Sequence, residues 1–185
     1  TIVAFNLRAQ NATIIEQSRI SSHMLAAAIE GGTFDALGAG RNNEVLRQLL
    51  RLKEREPSLD VSFFDFDGII SFTTMADAAG QALATHLNNP SAGAALARML
   101  SDGVEPKEVF EERIDGAMHL SSMKPILNEN SCHHCHGSSR KVLGGLHVRT
   151  SAETVAQMSR DAGRSNILIG AAGCLGMILA VFLLF

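Results

Sequence analysis

Residues 60–74 read DVSFFDFDGIISFTT, and this stretch decides the fold class that the sequence predicts. Residues 60–66 are rich in Phe and Val, which favour β-strands. The pair Asp67-Gly68 is typical of a tight turn between two strands, and residues 69–74 supply the second strand. We therefore predict a β-hairpin here.

A second hairpin is predicted further along the chain. Residues 109–114 (VFEERI) form its first strand, Asp115-Gly116 its turn and residues 117–127 its second strand. A fifth strand is predicted at 141–150. The five strands predict one antiparallel sheet.

Helical segments precede and interrupt these strands. Apolar residues at three- and four-residue spacing predict a helix over residues 9–30, and Gly31 and Gly32 are expected to end it. Residues 43–56 predict an amphipathic helix, and residues 91–102 predict a shorter one. Together with the sheet, the helices predict an α+β domain with its helices on one face.

The C-terminal segment, residues 167–185, has the sequence ILIGAAGCLGMILAVFLLF and contains no charged residue. A helix rises about 1.5 Å per residue, so nineteen apolar residues nearly cross a bilayer core of about 30 Å. We expect a transmembrane helix over about 166–185. The bilayer is therefore a predicted partner.

The predicted domain organisation follows from this pattern. Residues 1–58 form an N-terminal helical region, and residues 59–150 form the sheet domain with an insertion at 128–140. Residues 151–185 form an exit helix that continues into the membrane span. The net charge of −3 argues against a nucleic-acid partner, because proteins that bind nucleic acids usually carry a basic patch.

The insertion carries the motif with the clearest chemistry. Residues 132–136 read Cys-His-His-Cys-His, which is the C-x-x-C-H attachment signature of a c-type haem. Two thiols at this spacing, Cys132 and Cys135, add to the two vinyl groups of one haem. His136 then becomes the proximal ligand of the iron. We predict one covalent haem c.

The motif has two alternative interpretations, a structural zinc site and a redox dithiol. A structural zinc site needs four ligands, usually in two separated pairs, and the chain has no second Cys pair. A redox dithiol is expected within a thioredoxin-like βαβ pattern, which does not surround the motif. Both remain weaker alternatives to haem c.

The sixth ligand of the iron must come from another part of the chain, or the position stays open for water or a gas. The Met and His candidates are His23, Met24, Met75, His86, Met99, Met118, His119, Met123 and His147. We favour the long first helix, either within one subunit or across a dimer. Met24 is preferred, followed by His23 and then Met123.

The order of these features resembles the extracytoplasmic sensor region of bacterial transmembrane receptors, either histidine kinases or methyl-accepting chemotaxis proteins. The resemblance is carried by FDFDGIISFTT, by the ERIDG turn and by PILNENSCHHCHGSSRKVLGGLHVRTSAE ahead of the final span. It implies a PAS/Cache-like sheet with the haem motif inserted before the last strand. It also implies a dimer that signals through the span.

The predicted function is a periplasmic haem c sensor domain that detects redox state or a small diatomic ligand and signals across the bacterial inner membrane. The alternative is a membrane-anchored monohaem cytochrome that transfers electrons in a respiratory chain. No acid or base residue is placed beside the motif, so the segment is not expected to be an enzyme itself. A kinase or chemotaxis output would lie outside it.

A parallel homodimer is the expected assembly. The long first helix offers one interface. Ala172, Gly176 and Ala180, spaced four apart in the predicted span, offer a small-residue stripe for close helix packing. Cys174 lies near this stripe.

Overall fold

The computed structural model describes the backbone of residues 2–153 and the side chains of residues 20–153. The helices are α1 (Ile2–Gly38), α2 (Asn42–Arg55), α3 (Pro90–Asp102) and the single turn α4 (His133–His136). The strands are β1 (Leu59–Asp65), β2 (Ile70–Thr73), β3 (Phe110–Ile114), β4 (Ala117–Leu127) and β5 (Val142–Ser151). Short 3₁₀ turns occupy Leu83–His86 and Asn130–Cys132.

The five strands form one antiparallel sheet in the order β2-β1-β5-β4-β3. Both predicted hairpins are confirmed, as β1–β2 and β3–β4. The last strand in the chain, β5, lies in the centre and pairs with β1 on one side and β4 on the other. The segment that follows the cysteine motif is therefore built into the middle of the sheet.

Helices cover both faces of this sheet, so the prediction of helices on one face was wrong. Phe63 and Phe64 are adjacent, and both are buried. Successive side chains of a strand point to opposite faces, and these two belong to different hydrophobic clusters. Phe63 packs in the first core with α1 and α2, whereas Phe64 packs in the second core with α3.

Helix α1 does not end at Gly31 and Gly32, as predicted, but continues to Gly38. A glycine inside a helix costs only about 1 kcal/mol relative to Ala. Beyond the glycines, Thr33 and Ala36 are buried against the body of the domain, and Thr33 Oγ1 donates to the carbonyl of Ile29 at 2.7 Å. Tertiary packing thus outweighs the local stop signal.

Strands β1 and β5 approach each other closely because β5 contains Gly144. A Cβ atom at this position would lie 2.0 Å from the carbonyl oxygen of Phe64, and the φ angle of 154° is rare for other residues. This close approach occurs where the cysteine motif meets the sheet.

The described residues all fall within one compact unit, Thr1–Ala152, apart from Glu153. Between residues 2 and 153, no helix combines the length and the apolar character that a membrane crossing needs. The predicted exit helix beyond 153, the span over 166–185, the stripe and Cys174 lie outside the described residues.

Candidate functional site

The cysteine motif begins in a 3₁₀ turn and ends in the helical turn α4. The backbone amide of Cys132 donates to the carbonyl of Glu129 at 2.8 Å, and that of Gly137 donates to His133 at 3.0 Å. Gly137 adopts φ 66° and ψ −177°, which is essentially a glycine conformation. In a helical turn, residues three and four apart share a side, so Cys132 lies beside Cys135 and His136.

All three of these side chains line one cavity of about 570 Å³. The cavity lies between the end of α1, the β1–β2 hairpin, the start of β5 and the motif. Its apolar wall includes Phe34, Phe63, Phe72, Ile126 and Leu143. The structure thus places two thiols and an imidazole on the wall of a mostly apolar space.

The two thiols of the motif are free rather than joined in a disulfide. Cys132 is half-buried, and Cys135 and His136 are exposed. The Cys132 sulfur lies 3.8 Å from Ser131 Oγ, which is a weak hydrogen bond at the surface. Accessible thiols outside a disulfide can react with, or bind, a group that enters the cavity.

Asn128 holds the base of the loop that carries the motif. Its Nδ2 donates to the carbonyl oxygens of Gly137 and Arg140, both at 2.8 Å, and its backbone amide donates to Lys141 at 2.9 Å. Asn128 was not among the predicted site residues. Its position as the first residue of the insertion is the one local signal that it closes the loop.

Two basic residues end the same loop, and both have partners within the chain. The Arg140 guanidinium lies 3.6 Å from the centroid of the Phe66 ring. Lys141 Nζ donates to the carbonyl of Asp102 at the end of α3. These contacts fasten the loop to β1–β2 and to α3.

None of the three favoured distal ligands lies on the cavity wall. Met24 is 67% exposed on α1. His23 Nδ1 lies 2.9 Å from Glu105 Oε1. Met123 is buried in the second core, on the opposite face of the sheet. Among the residues that the structure describes, His136 is the only Met or His in the lining.

The cavity wall also carries three carboxylates. Asp65 accepts hydrogen bonds from the backbone amides of Asp67 and Ile69, each at 2.9 Å, so it serves the hairpin turn. Asp35 is exposed. Glu30 is half-buried and forms an ion pair with Lys124 of β4.

A buried network of charged side chains lies in the sheet, and none of its residues belongs to the motif loop. Arg149 of β5 donates to Asp60 at 2.9 Å and to Glu112 at 3.4 Å, and Lys53 donates to Asp60 at 2.9 Å. Burial raises the pKa of Asp60, but the hydrogen bonds from Lys53 and Arg149 outweigh it, and the net pKa lies below its usual value. This network joins β1, β3 and β5.

His147 of β5 is fully buried next to this network. Within the described part of the chain, neither of its ring nitrogens has a hydrogen-bond partner. Burial, followed by the nearby charge of Arg149, lowers the pKa of His147 to about 3. The imidazole is therefore neutral at physiological pH.

The fold is similar to that of sensor domains of known structure. In fold, the chain is similar to the sensor domain of E. coli DcuS, with 17% identity, a TM-score of 0.51, and coverage of 77% of this chain and 97% of that one. It is also similar to the sensor domain of the V. cholerae histidine kinase DctB, with 12% identity and a TM-score of 0.48. That match covers 82% of this chain but only 54% of the DctB chain.

The family comparison covers most of the chain. The model described as methyl-accepting chemotaxis sensory transducer, class 40H, sensor, matches residues 27–153, from the last third of α1 to just past the end of β5. The match includes the complete sheet, the motif loop and the wall of the cavity. The chain therefore belongs to the class 40H sensor family of methyl-accepting chemotaxis sensory transducers.

Proposed function

We propose that this sensor domain binds one covalent haem c in the cavity beside its C-x-x-C-H motif and reports a redox state or a small diatomic ligand across the membrane. The observation that carries the proposal is the meeting of Cys132, Cys135 and His136 on the wall of one apolar cavity. Motif and cavity support each other, because the motif needs a space for a large apolar ring beside its thiols.

In this proposal three residues of the motif have a defined task. Cys132 and Cys135 hold the group through thioether bonds, and His136 binds its iron. The phenylalanines of the wall exclude water from the ring. When bound, the haem supplies a reversible one-electron change and an iron site for a diatomic ligand.

The identity of the distal ligand of the iron remains a prediction. Because Met24 is exposed on α1, it fits delivery to the cavity of a second copy better than delivery within its own chain. His23 is held by Glu105 and would have to leave that pair. An open distal position would suit a gas ligand.

The periplasm is the proposed location of the domain, because haem c is attached on the outer side of the bacterial inner membrane. Membership of a chemotaxis sensor family favours signalling as the task. The alternative, an electron-transfer cytochrome, gains no support from that family.

The test of the proposal is covalent attachment. The chain is produced with the cytochrome c maturation machinery, and its pigment is extracted with acidified acetone. We expect the haem to stay on the wild-type polypeptide and to be released when Cys132→Ala and Cys135→Ala are combined.

Cys174→Ala is the matched control, because it removes a cysteine outside the motif and should leave the attachment unchanged. A wild-type chain that loses all its haem to acidified acetone, or that never acquires any, would show that the proposal is wrong.

A further inference from the structure

We infer that Glu30, through its ion pair with Lys124, couples the net charge inside the cavity to the position of helix α1. The inference rests on the proposed function, because it takes the charge in the cavity to be that of a haem iron. It assigns roles to two residues outside the C-x-x-C-H motif.

The first argument is the place of Glu30 between two spaces. Its side chain lines the main cavity and also a neighbouring groove of about 460 Å³ between α1 and β4. The Glu30 and Lys124 side chains are 21% and 27% exposed, so water screens their pairing only in part. A new charge in the cavity therefore acts on Glu30 more strongly than on a fully solvated carboxylate.

The second argument concerns the other charged groups on the described part of the cavity wall. Asp65 is held by two backbone amides of its own turn, and Asp35 is exposed to solvent. Glu30 alone among these three carboxylates is paired with a side chain from another element. Of these three carboxylates, Glu30 is therefore the one through which a change of charge in the cavity can alter a contact between two elements.

The third argument is the identity of those elements. Lys124 lies three residues before the end of β4, and the motif begins five residues after that end. Glu30 lies in α1, next to Ile29, which is buried in the first core together with Ala26 and Ala36. The ion pair therefore joins α1 to β4 directly beside the apolar contacts that hold the helix on the sheet.

The direction of the coupling follows from charge. The negative Glu30 favours the more positive, oxidised state of the cavity, whereas Lys124 disfavours it. When an external donor gives one electron to the iron, the donor is oxidised and the positive charge in the cavity falls by one unit. Glu30 is then attracted less to the cavity and pairs more tightly with Lys124, which draws α1 towards β4.

By thermodynamic reciprocity, removing the pair must change the redox equilibrium. In the full haem-bearing chain, we expect Glu30→Gln to raise the midpoint potential. The expected shift of the midpoint potential is about 59 mV, which for one electron corresponds to a tenfold change in the redox equilibrium. Lys124→Met should shift the potential in the opposite direction.

Asp35→Asn is the matched control, because it removes an exposed carboxylate from the same wall and should change the equilibrium less than threefold. A second measurement follows α1 directly. Amide hydrogen exchange of residues 20–38 should be slower in the reduced than in the oxidised protein, and Glu30→Gln should abolish this difference.

The outcomes separate this inference from the proposed function. A wild-type chain without covalent haem would overturn both. A haem-bearing Glu30→Gln protein with the wild-type potential, or with a shift equal to that of Asp35→Asn, would overturn the coupling alone. So would hydrogen exchange in α1 that is the same in both oxidation states of the wild type.

Discussion

At the scale of single residues, His147 is the least expected feature of the sheet. A buried polar group without a partner costs free energy, and this imidazole has two ring nitrogens in that state within the described structure. Arg149, two residues away on the same strand, adds electrostatic repulsion against a proton on the ring. The fold tolerates the buried imidazole ring because the ring stays neutral.

This burial predicts a pH dependence of stability. The pKa of His147 is about 3 in the folded protein, whereas the unfolded chain binds this proton near the usual pKa of 6.5. Between these values the unfolded state holds more protons, so the free energy of unfolding falls as the pH falls, by up to about 1.4 kcal/mol per pH unit.

Urea unfolding at pH 7.5 and pH 4.5 measures this effect, with His147→Leu as the comparison. The variant lacks the titrating ring and should lose much less stability between the two pH values. The low pKa of Asp60 does not interfere, because its contribution is complete above the unfolded pKa of 3.8 and is lost only below it. Equal losses in both proteins would contradict the prediction.

At the scale of elements, the motif loop depends on one side chain at its base. Asn128 makes three hydrogen bonds across the loop, counting its backbone amide. We expect Asn128→Ala to remove two of them, to speed amide hydrogen exchange over residues 129–140, and to lower the fraction of chains that acquire haem. The loss of stability should be about 1–3 kcal/mol, which is typical of two lost hydrogen bonds.

The exposed neighbour Asn130 provides the control for this loop. Asn130→Ala should leave hydrogen exchange and haem content close to the wild type. If the two alanine variants behave alike, Asn128 does not hold the loop in the way that the structure indicates.

Helix α1 is the element on which the distal ligand is expected. Substituting Met24 with Ala should convert a six-coordinate low-spin spectrum into a high-spin one and open a site for carbon monoxide. Met123→Leu, on the far face of the sheet, should leave the spectrum unchanged. A low-spin spectrum that persists in Met24→Ala would exclude Met24 and favour His23.

At the scale of the whole molecule, the predicted homodimer has a candidate interface on α1. The exposed positions Ile20, Met24, Ala27, Gly31 and Phe34 follow alternating spacings of four and three residues. This is the heptad pattern by which two helices pack side by side. It supports the predicted parallel homodimer.

Sedimentation equilibrium tests this dimer. Ile20→Glu would bury a charge in the seam and should reduce the dimer fraction at least tenfold, whereas Leu46→Glu, on an exposed site of α2, should not. Within membranes, a disulfide at Cys174 should form to a modest extent. A wild-type chain that is monomeric in detergent at every concentration would refute the dimer.

The sequence by itself determined the features that depend on a few neighbouring residues. Asp67-Gly68 and Asp115-Gly116 predicted both hairpins, because a tight turn needs a local backbone conformation that these pairs readily adopt. The spacing of Cys132, Cys135 and His136 likewise predicted that the three side chains lie together, because residues three and four apart in a helical turn share a side. The α+β class followed from the same local patterns.

Only the tertiary structure decided the features that join distant segments. The central place of β5, the helices on both faces and the continuation of α1 past Gly31 and Gly32 depend on packing between elements. The cavity, and the pairing of Glu30 with Lys124, bring together residues up to about a hundred positions apart. No local pattern encodes such contacts, because their free energy comes from burial and charge pairing that exist only once the chain has folded.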